Sequence, residues 1–228
     1  MTPGREPAPP EPAPPEPAPS QSAPSQSAPS WLLRLARAAG TMEVPAPLAP
    51  PATGGRPSAV LVLFGDGPNG PDLLFIQRSD GLRLHAGQPA FPGGAIDDGD
   101  GGPVGAALRE ATEEVGLDPG GVDVVGTLPE VFIERTGFRV VPVLGWWREP
   151  SAVGPVDAGE VAAVERVSVA ELADPVTRLM LRLPNGRSSP AFRVRGMLIW
   201  GFTAALVDRL LALGGWEKPW DAGVVADM

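Results

Sequence analysis

Residues Gly94 to Leu117 read GAIDDGDGGPVGAALREATEEVGL, and they carry five of the nine net negative charges of the 228-residue chain. Val104 to Val115 is rich in Ala, Leu and Glu, good helix formers, and Gly116 follows at the position where a left-handed residue closes a helix. A helix over 104–115 sets Glu110, Glu113 and Glu114 at i, i+3 and i+4, on one face and within reach of a common point. Such carboxylates repel one another. A solvated acidic face tolerates that, and a bound divalent cation offsets it. Magnesium or manganese suits the acids, because hard cations take carboxylate oxygen and the chain offers no thiolate and no histidine pair. Phe91-Pro92-Gly93-Gly94 comes just before, a turn in which the backbone can approach a ligand and offer carbonyl oxygen to a metal.

Upstream, Ala59 to Phe64 and Leu73 to Gln77 are short apolar runs around Gly65-Asp66-Gly67-Pro68-Asn69-Gly70, the pattern of a hairpin of buried strands. Downstream, Val122 to Leu128, Phe138 to Leu144 and Val161 to Val169 are expected strands. Thr177 to Leu183 is expected to pair with Ala191 to Val194 around Pro184-Asn185-Gly186. Met197 to Leu213 is expected as one long helix with Leu198, Phe202, Ala205, Leu206 and Leu210 along an apolar stripe, and Ala170 to Ala173 as a short one. The irregular alternation implies a mixed sheet with helices on its faces rather than a regularly wound parallel sheet.

Composition narrows the function. Lys+Arg 18 against Asp+Glu 27 leaves no general polyanion-binding surface, so nucleic acid is not an expected partner. Zero cysteines exclude disulfides, thiolate zinc sites, iron–sulfur clusters and a cysteine nucleophile. Residues 1–30 form a Pro/Ala/Ser-rich tail of five-residue units, EPAPP, EPAPP, EPAPS, QSAPS and QSAPS, and hold eleven of the thirty prolines. Frequent proline fixes φ and withholds amide donors, so this tail is expected to be disordered with polyproline-II character, a spacer or a docking site for a proline-binding module. Residues 31–56 are expected to give a short helix, Trp31 to Arg37 after a capping Ser30, and a linker, with the globular domain over 57–228. That helix packs on the domain or lies on a membrane surface, the first being favoured. The tract lacks the apolar core of a signal peptide, and no apolar run spans a bilayer, so a cytoplasmic protein without membrane partners is expected.

Gly94-x5-Asp100-x8-Arg109-Glu110-Ala111-x-Glu113-Glu114-x-Gly116-Leu117 resembles the Nudix box of pyrophosphohydrolases, G-x5-E-x7-R-E-U-x-E-E-x-G-U with U aliphatic. Asp100 stands for the first Glu and the next spacer is one residue longer, which leaves the role of Asp100 open. Leu74 to Gly94 resembles the additional motif of the coenzyme A pyrophosphatase branch, L-L-T-x-R-S-x3-R-x3-G-x3-F-P-G-G, at Arg78, Ser79, Arg83, Gly87 and Phe91 to Gly94. Phe75-Ile76 replaces its Leu-Thr. Ile199 to Ala204 is similar to the I-W-G-x-T-A helix of that branch.

The resemblance implies a Nudix α/β/α sandwich with a mixed β-sheet. It implies an enzyme that uses Mg²⁺ or Mn²⁺ to hydrolyse coenzyme A or an acyl derivative to 3′,5′-ADP and the matching 4′-phosphopantetheine. A broader-range hydrolase of nucleoside diphosphates linked to another moiety, and a noncatalytic binding module, are the alternatives. The metal would be held by Glu110, Glu113 and Glu114 with the Gly94 carbonyl, and Arg109 would pair with a neighbouring carboxylate to order the helix. Catalytic candidates are Glu113, Glu114 and Glu160, the last because Gly159-Glu160-Val161 resembles an element that follows the box, with Glu130 and Glu134 weaker. Arg78, Arg83, His85 and Gly87 are the substrate-binding candidates, since guanidinium groups suit phosphates. The implied partner is a small molecule, with a homodimer left open.

Overall fold

The computed structural model describes residues 1, 27–82, 86–183 and 186–227. The repeats up to residue 26, Arg83, His85 and the Pro184-Asn185 turn lie outside the described residues. Strand β1 (Arg56–Gly67) and β2 (Gly70–Arg78) form the expected antiparallel hairpin, closed at Gly67 and Gly70. Both read as continuous apolar runs because both faces are covered. On β1, Ala59, Leu61 and Leu63 enter one core while Val62 and Phe64 enter the other; on β2, Leu74 and Ile76 oppose Leu73 and Phe75 in the same way.

Short strands β3 (Pro89–Ala90) and β4 (Gly93–Ala95) lie beside β2 and β1, and β5 (Val122–Thr127) and β6 (Val131–Ile133) beside β7 (Phe138–Trp147). Strand β8 (Val161–Ser168) runs antiparallel to β2. Strands β1 and β7 are parallel from Arg56 beside Phe138 to Phe64 beside Trp146, and all other pairings in this sheet are antiparallel. The sheet is therefore mixed. Helix α1 (Ser30–Gly40) covers one face, and α2 (Pro103–Val115), through Ala106, Ala107, Ala111 and Val115, covers the other.

After the short α3 (Val169–Leu172), β9 (Arg178–Arg182), β10 (Ser188–Val194), β11 (Met197–Ile199) and β12 (Val225–Asp227) make a second sheet, in the order β11-β10-β9-β12. Helix α4 (Gly201–Leu213) then joins α1 on its face of the main sheet.

The structure corrects two sequence expectations. Met197 to Leu213 is not one helix: Met197–Ile199 pairs with Val194–Phe192, and the helix starts only at Gly201. Arg195 and Gly196, at φ 50° and 77°, turn the chain into that hairpin, and Gly201 at φ 65° breaks it again; a short apolar run carries no periodicity that separates strand from helix. Ser30 does not cap α1 either. Pro29 stands at the N-cap, and the Ser30 hydroxyl accepts from Arg34 at 3.2 Å.

Helix α1 buries Leu32, Leu35, Ala36 and Ala39, and Trp31 meets Phe64, Trp146 and Trp216 edge-on at centroid distances of 5.5, 6.2 and 5.1 Å. Its apolar face thus belongs to the core, not to a membrane surface. Among the described residues no helix is long and apolar enough to cross a membrane.

Candidate active site

The site forms where the chain returns to β1 after the first hairpin. Strand β4 pairs with β1 through Gly93 beside Val60 and Gly94 beside Ala59. At Gly93, with φ 157°, a Cβ would run into the Ala59 carbonyl oxygen and stand 2.7 Å from the Val60 Cα, so only glycine fits. At Gly94 a Cβ would run into the Glu110 carboxylate. The Pro-Gly-Gly turn is therefore needed for close approach, and what it approaches is the acidic face of α2.

The three helix glutamates have different surroundings. Glu114 is buried, accepts from the Gly93 amide at 2.9 Å and pairs with Arg78 at 3.3 Å. Burial pushes its pKa up to about 7; the Gly93 amide and Arg78 pull it down, and the nearby charges of Glu110 and Glu160 push it up. Glu110, pairing with Arg109 at 3.0 Å, is also raised, chiefly by burial. Glu113 is 59% exposed and pairs with Arg109 at 3.0 Å. Among the described residues no three acidic side chains are gathered around one point in metal-holding geometry. Arginine and amide donors divide the three carboxylates. Residues 113 and 114 are also about 100° apart around the helix, so one faces solvent when the other is buried.

Arg109 organises the start of this helix. Its Nε donates to Asp100 Oδ1 at 2.7 Å and its Nη2 to Asp100 Oδ2 at 3.2 Å, and Nη2 also donates to the Ala95 carbonyl at 3.0 Å. Asp97 lies 3.8 Å away. Asp100 also accepts from the Asp97 amide at 2.7 Å, and the Arg109 hydrogen bonds hold its carboxyl below the usual range. The role left open for Asp100 is thus structural. Asp100 ends a 3₁₀ turn at Asp98–Asp100, and left-handed Gly101 opens the longer spacer that follows.

Arg78 sits where the β2–β8 register shifts between Gln77 and Arg78, a bulge of the kind that re-aims a side chain beside a site. Its Nε is buried without a partner among the described residues, so Glu114 does not saturate the guanidinium. The Ser79 amide donates to the Glu160 carbonyl at 2.9 Å, which fixes exposed Glu160 next to Arg78. Gly87 orders its loop: its φ is 67°, its carbonyl accepts from the Gln77 side chain, and a Cβ there would strike Asp80. Glu130 is engaged by Arg139 at 2.6 Å, and Glu134 is exposed on the β6–β7 turn.

A cavity of about 360 Å³ opens beside these groups. Its wall includes Arg78, the Gln88–Phe91 segment, Gly93 and Gly94, and residues 200–203 at the start of α4. The β6–β7 turn also contributes, at Ile133, Arg135 and Thr136, and no sequence motif marks that turn.

All-oxygen donors, a buried carboxylate and a glycine cradle that a Cβ would fill together fit a hard divalent cation. A family model described as the NUDIX domain matches residues 55–190. An uncharacterized Nudix hydrolase NudL of Cronobacter sakazakii is 43% identical over 177 residues, covering 72% of this chain and 85% of that protein. The Escherichia coli K12 NudL is 40% identical over 177 residues, with the same coverage. The crystal structure of the Nudix hydrolase RenU from M. smegmatis matches 74% of this chain and 91% of its own, at a TM-score of 0.51 and 23% identity, a likeness of fold. With its acidic helix set against a glycine turn in a mixed-sheet sandwich, the chain belongs to the Nudix hydrolase family of metal-dependent pyrophosphohydrolases.

Proposed function

We propose that this Nudix hydrolase cleaves coenzyme A or an acyl-coenzyme A, adding water across the diphosphate to give 3′,5′-ADP and the corresponding 4′-phosphopantetheine. One observation carries the reading: Arg78, Phe91, Gly93 and Gly94 of the upstream motif and Trp200–Thr203 of the late one, over 100 residues apart, line the same cavity. Nothing in an acidic helix alone requires that convergence.

Glu110, Glu113 and Glu114, with the Gly94 carbonyl, would hold Mg²⁺ or Mn²⁺, which supplies neutralisation of the diphosphate oxygens and a more acidic water. Glu160, exposed and within electrostatic reach of Glu114, accepts the proton of the attacking water. Arg78, which lines the cavity, meets a diphosphate oxygen. Arg83 and His85 are proposed to contact the same substrate.

Purified protein is incubated with coenzyme A, ADP-ribose, NADH and 8-oxo-dGTP under Mg²⁺ and Mn²⁺, and kcat/KM compared. Preference for coenzyme A is expected; no preference defeats the specific reading in favour of a broader-range hydrolase. Absence of turnover on every substrate favours a binding module.

A further inference from the structure

The first turn of α4 carries an unfilled set of donors. This 13-residue helix has no side-chain cap: Trp200 occupies its N-cap in extended conformation, and Gly201 follows at φ 65°. Free amides at a helix start favour an anion. The second observation is Thr203. It is 7% exposed and lines the cavity, and its hydroxyl has no hydrogen-bond partner among the described residues. A hydroxyl in so enclosed a residue, without a protein partner and at the cavity wall, is free to donate to an acceptor in the cavity.

Arg135, exposed on the β6–β7 turn, reaches the same cavity from the other side of the chain's fold. Among the described residues it has no acidic partner, so its charge is available to a ligand in the cavity. Phe138 and Trp200 add aromatic surface to the wall, suited to a planar base.

We infer that Thr203, Arg135 and the α4 N-terminus form a phosphomonoester subsite, which selects nucleoside diphosphate derivatives carrying a further phosphate on the nucleoside sugar. The scissile diphosphate engages the acids and Arg78. The extra phosphate takes the Thr203 hydroxyl and the α4 amides as donors, with the Arg135 guanidinium as its counter-charge. These residues act on selection of the substrate, not on bond cleavage. The inference rests on the reading of the cavity as a diphosphate-cleaving site and assigns its specificity to residues outside the acidic helix.

The test uses the full chain and pairs of ligands that differ in one phosphate. Wild type is compared with Thr203→Val, Thr203→Ser and Arg135→Gln on coenzyme A and on 3′-dephospho-coenzyme A. The valine and glutamine variants are expected to lose roughly tenfold or more in kcat/KM on coenzyme A and to change little on the dephospho form, while Thr203→Ser keeps the preference. Calorimetric binding of 3′,5′-ADP against 5′-AMP gives a readout independent of turnover: wild type binds 3′,5′-ADP more tightly, and both disruptive variants erase the difference. If wild type fails to cleave coenzyme A yet still prefers 3′,5′-ADP, the proposed substrate falls and the subsite stands. Equal binding of the two nucleotides by wild type, or equal losses on both substrates in the variants, overturns the subsite.

Discussion

The Glu114 carboxylate accepts a hydrogen bond from the Gly93 amide at 2.9 Å, joining the last turn of the acidic helix to the glycine turn that precedes it by 21 residues. This bond, with the Arg78 pair, holds an acid in a place where burial disfavours its charge. Glu114→Gln keeps the shape and removes the charge. Steady-state turnover is expected to fall by about 10²-fold or more, with the melting temperature equal to or above that of wild type at pH 8. A stable variant with wild-type kcat would remove Glu114 from the machinery.

The two glycines of the turn are expected to fail differently when replaced by alanine. At Gly93 the new methyl meets β1 backbone and φ is unfavourable, so Gly93→Ala should unfold at markedly lower temperature. At Gly94 the obstacle is the end of the Glu110 side chain, which can move, so Gly94→Ala should fold but lose activity. Thermal melts paired with kinetics separate the two; equal melting temperatures would contradict the geometry.

Asp100→Asn weakens the clamp on Arg109, whose guanidinium also pairs with Glu110 and Glu113. Metal titration of activity should show apparent Mg²⁺ affinity lowered by roughly 10–100-fold, the usual effect of losing a group that orients ligands, with a smaller change in kcat at saturating metal. An unchanged titration curve would mean that Arg109 does not need Asp100.

Leu32 is fully buried in the cluster that also holds Phe64 and Leu206. Leu32→Ala should cost about 2–5 kcal/mol in denaturant unfolding, as for other core leucines. A loss below about 1 kcal/mol would show that α1 docks without contributing to the core.

The two Arg195 hydrogen bonds, at 2.9 Å each, hold Glu171 at a pKa of about 2, aided by Ser168 and well below its ordinary 4.5. A lowered carboxylate pKa means that the folded state binds fewer protons. Its contribution is full above about pH 4.5 and disappears as pH falls toward 2. With the side chain 34% exposed, solvent screening limits that contribution to about 1 kcal/mol at neutral pH. Glu171→Gln should therefore be slightly less stable at pH 7, with a flatter loss of stability between pH 4.5 and 2; an unchanged acid limb would contradict the assignment.

Several parts of this architecture can be read directly from residue order. Helix α2 and its left-handed Gly116 follow from composition and a glycine signal, and β1 and β2 from unbroken apolar runs around Pro68-Asn69. Strand β11 does not, because three apolar residues ahead of a helix continue its stripe until Gly201 breaks it. Strands β6 and β12 are three residues each, too short for any periodic signal. Asp100 was legible as a departure from a pattern, but its bond to Arg109 depends on how the 3₁₀ turn and Gly101 fold the chain back toward the helix.

Local chemistry written along the chain determined the acidic helix, the glycine turn before it and the family to which both belong, because spacing on a helix fixes which side chains share a face. Tertiary structure alone decided which glutamate is buried and which faces water, and brought Arg78, Arg135 and Thr203 around one cavity. Burial depends on what the opposite layer supplies, and residues scores of positions apart become neighbours only when strands close the sheet between them.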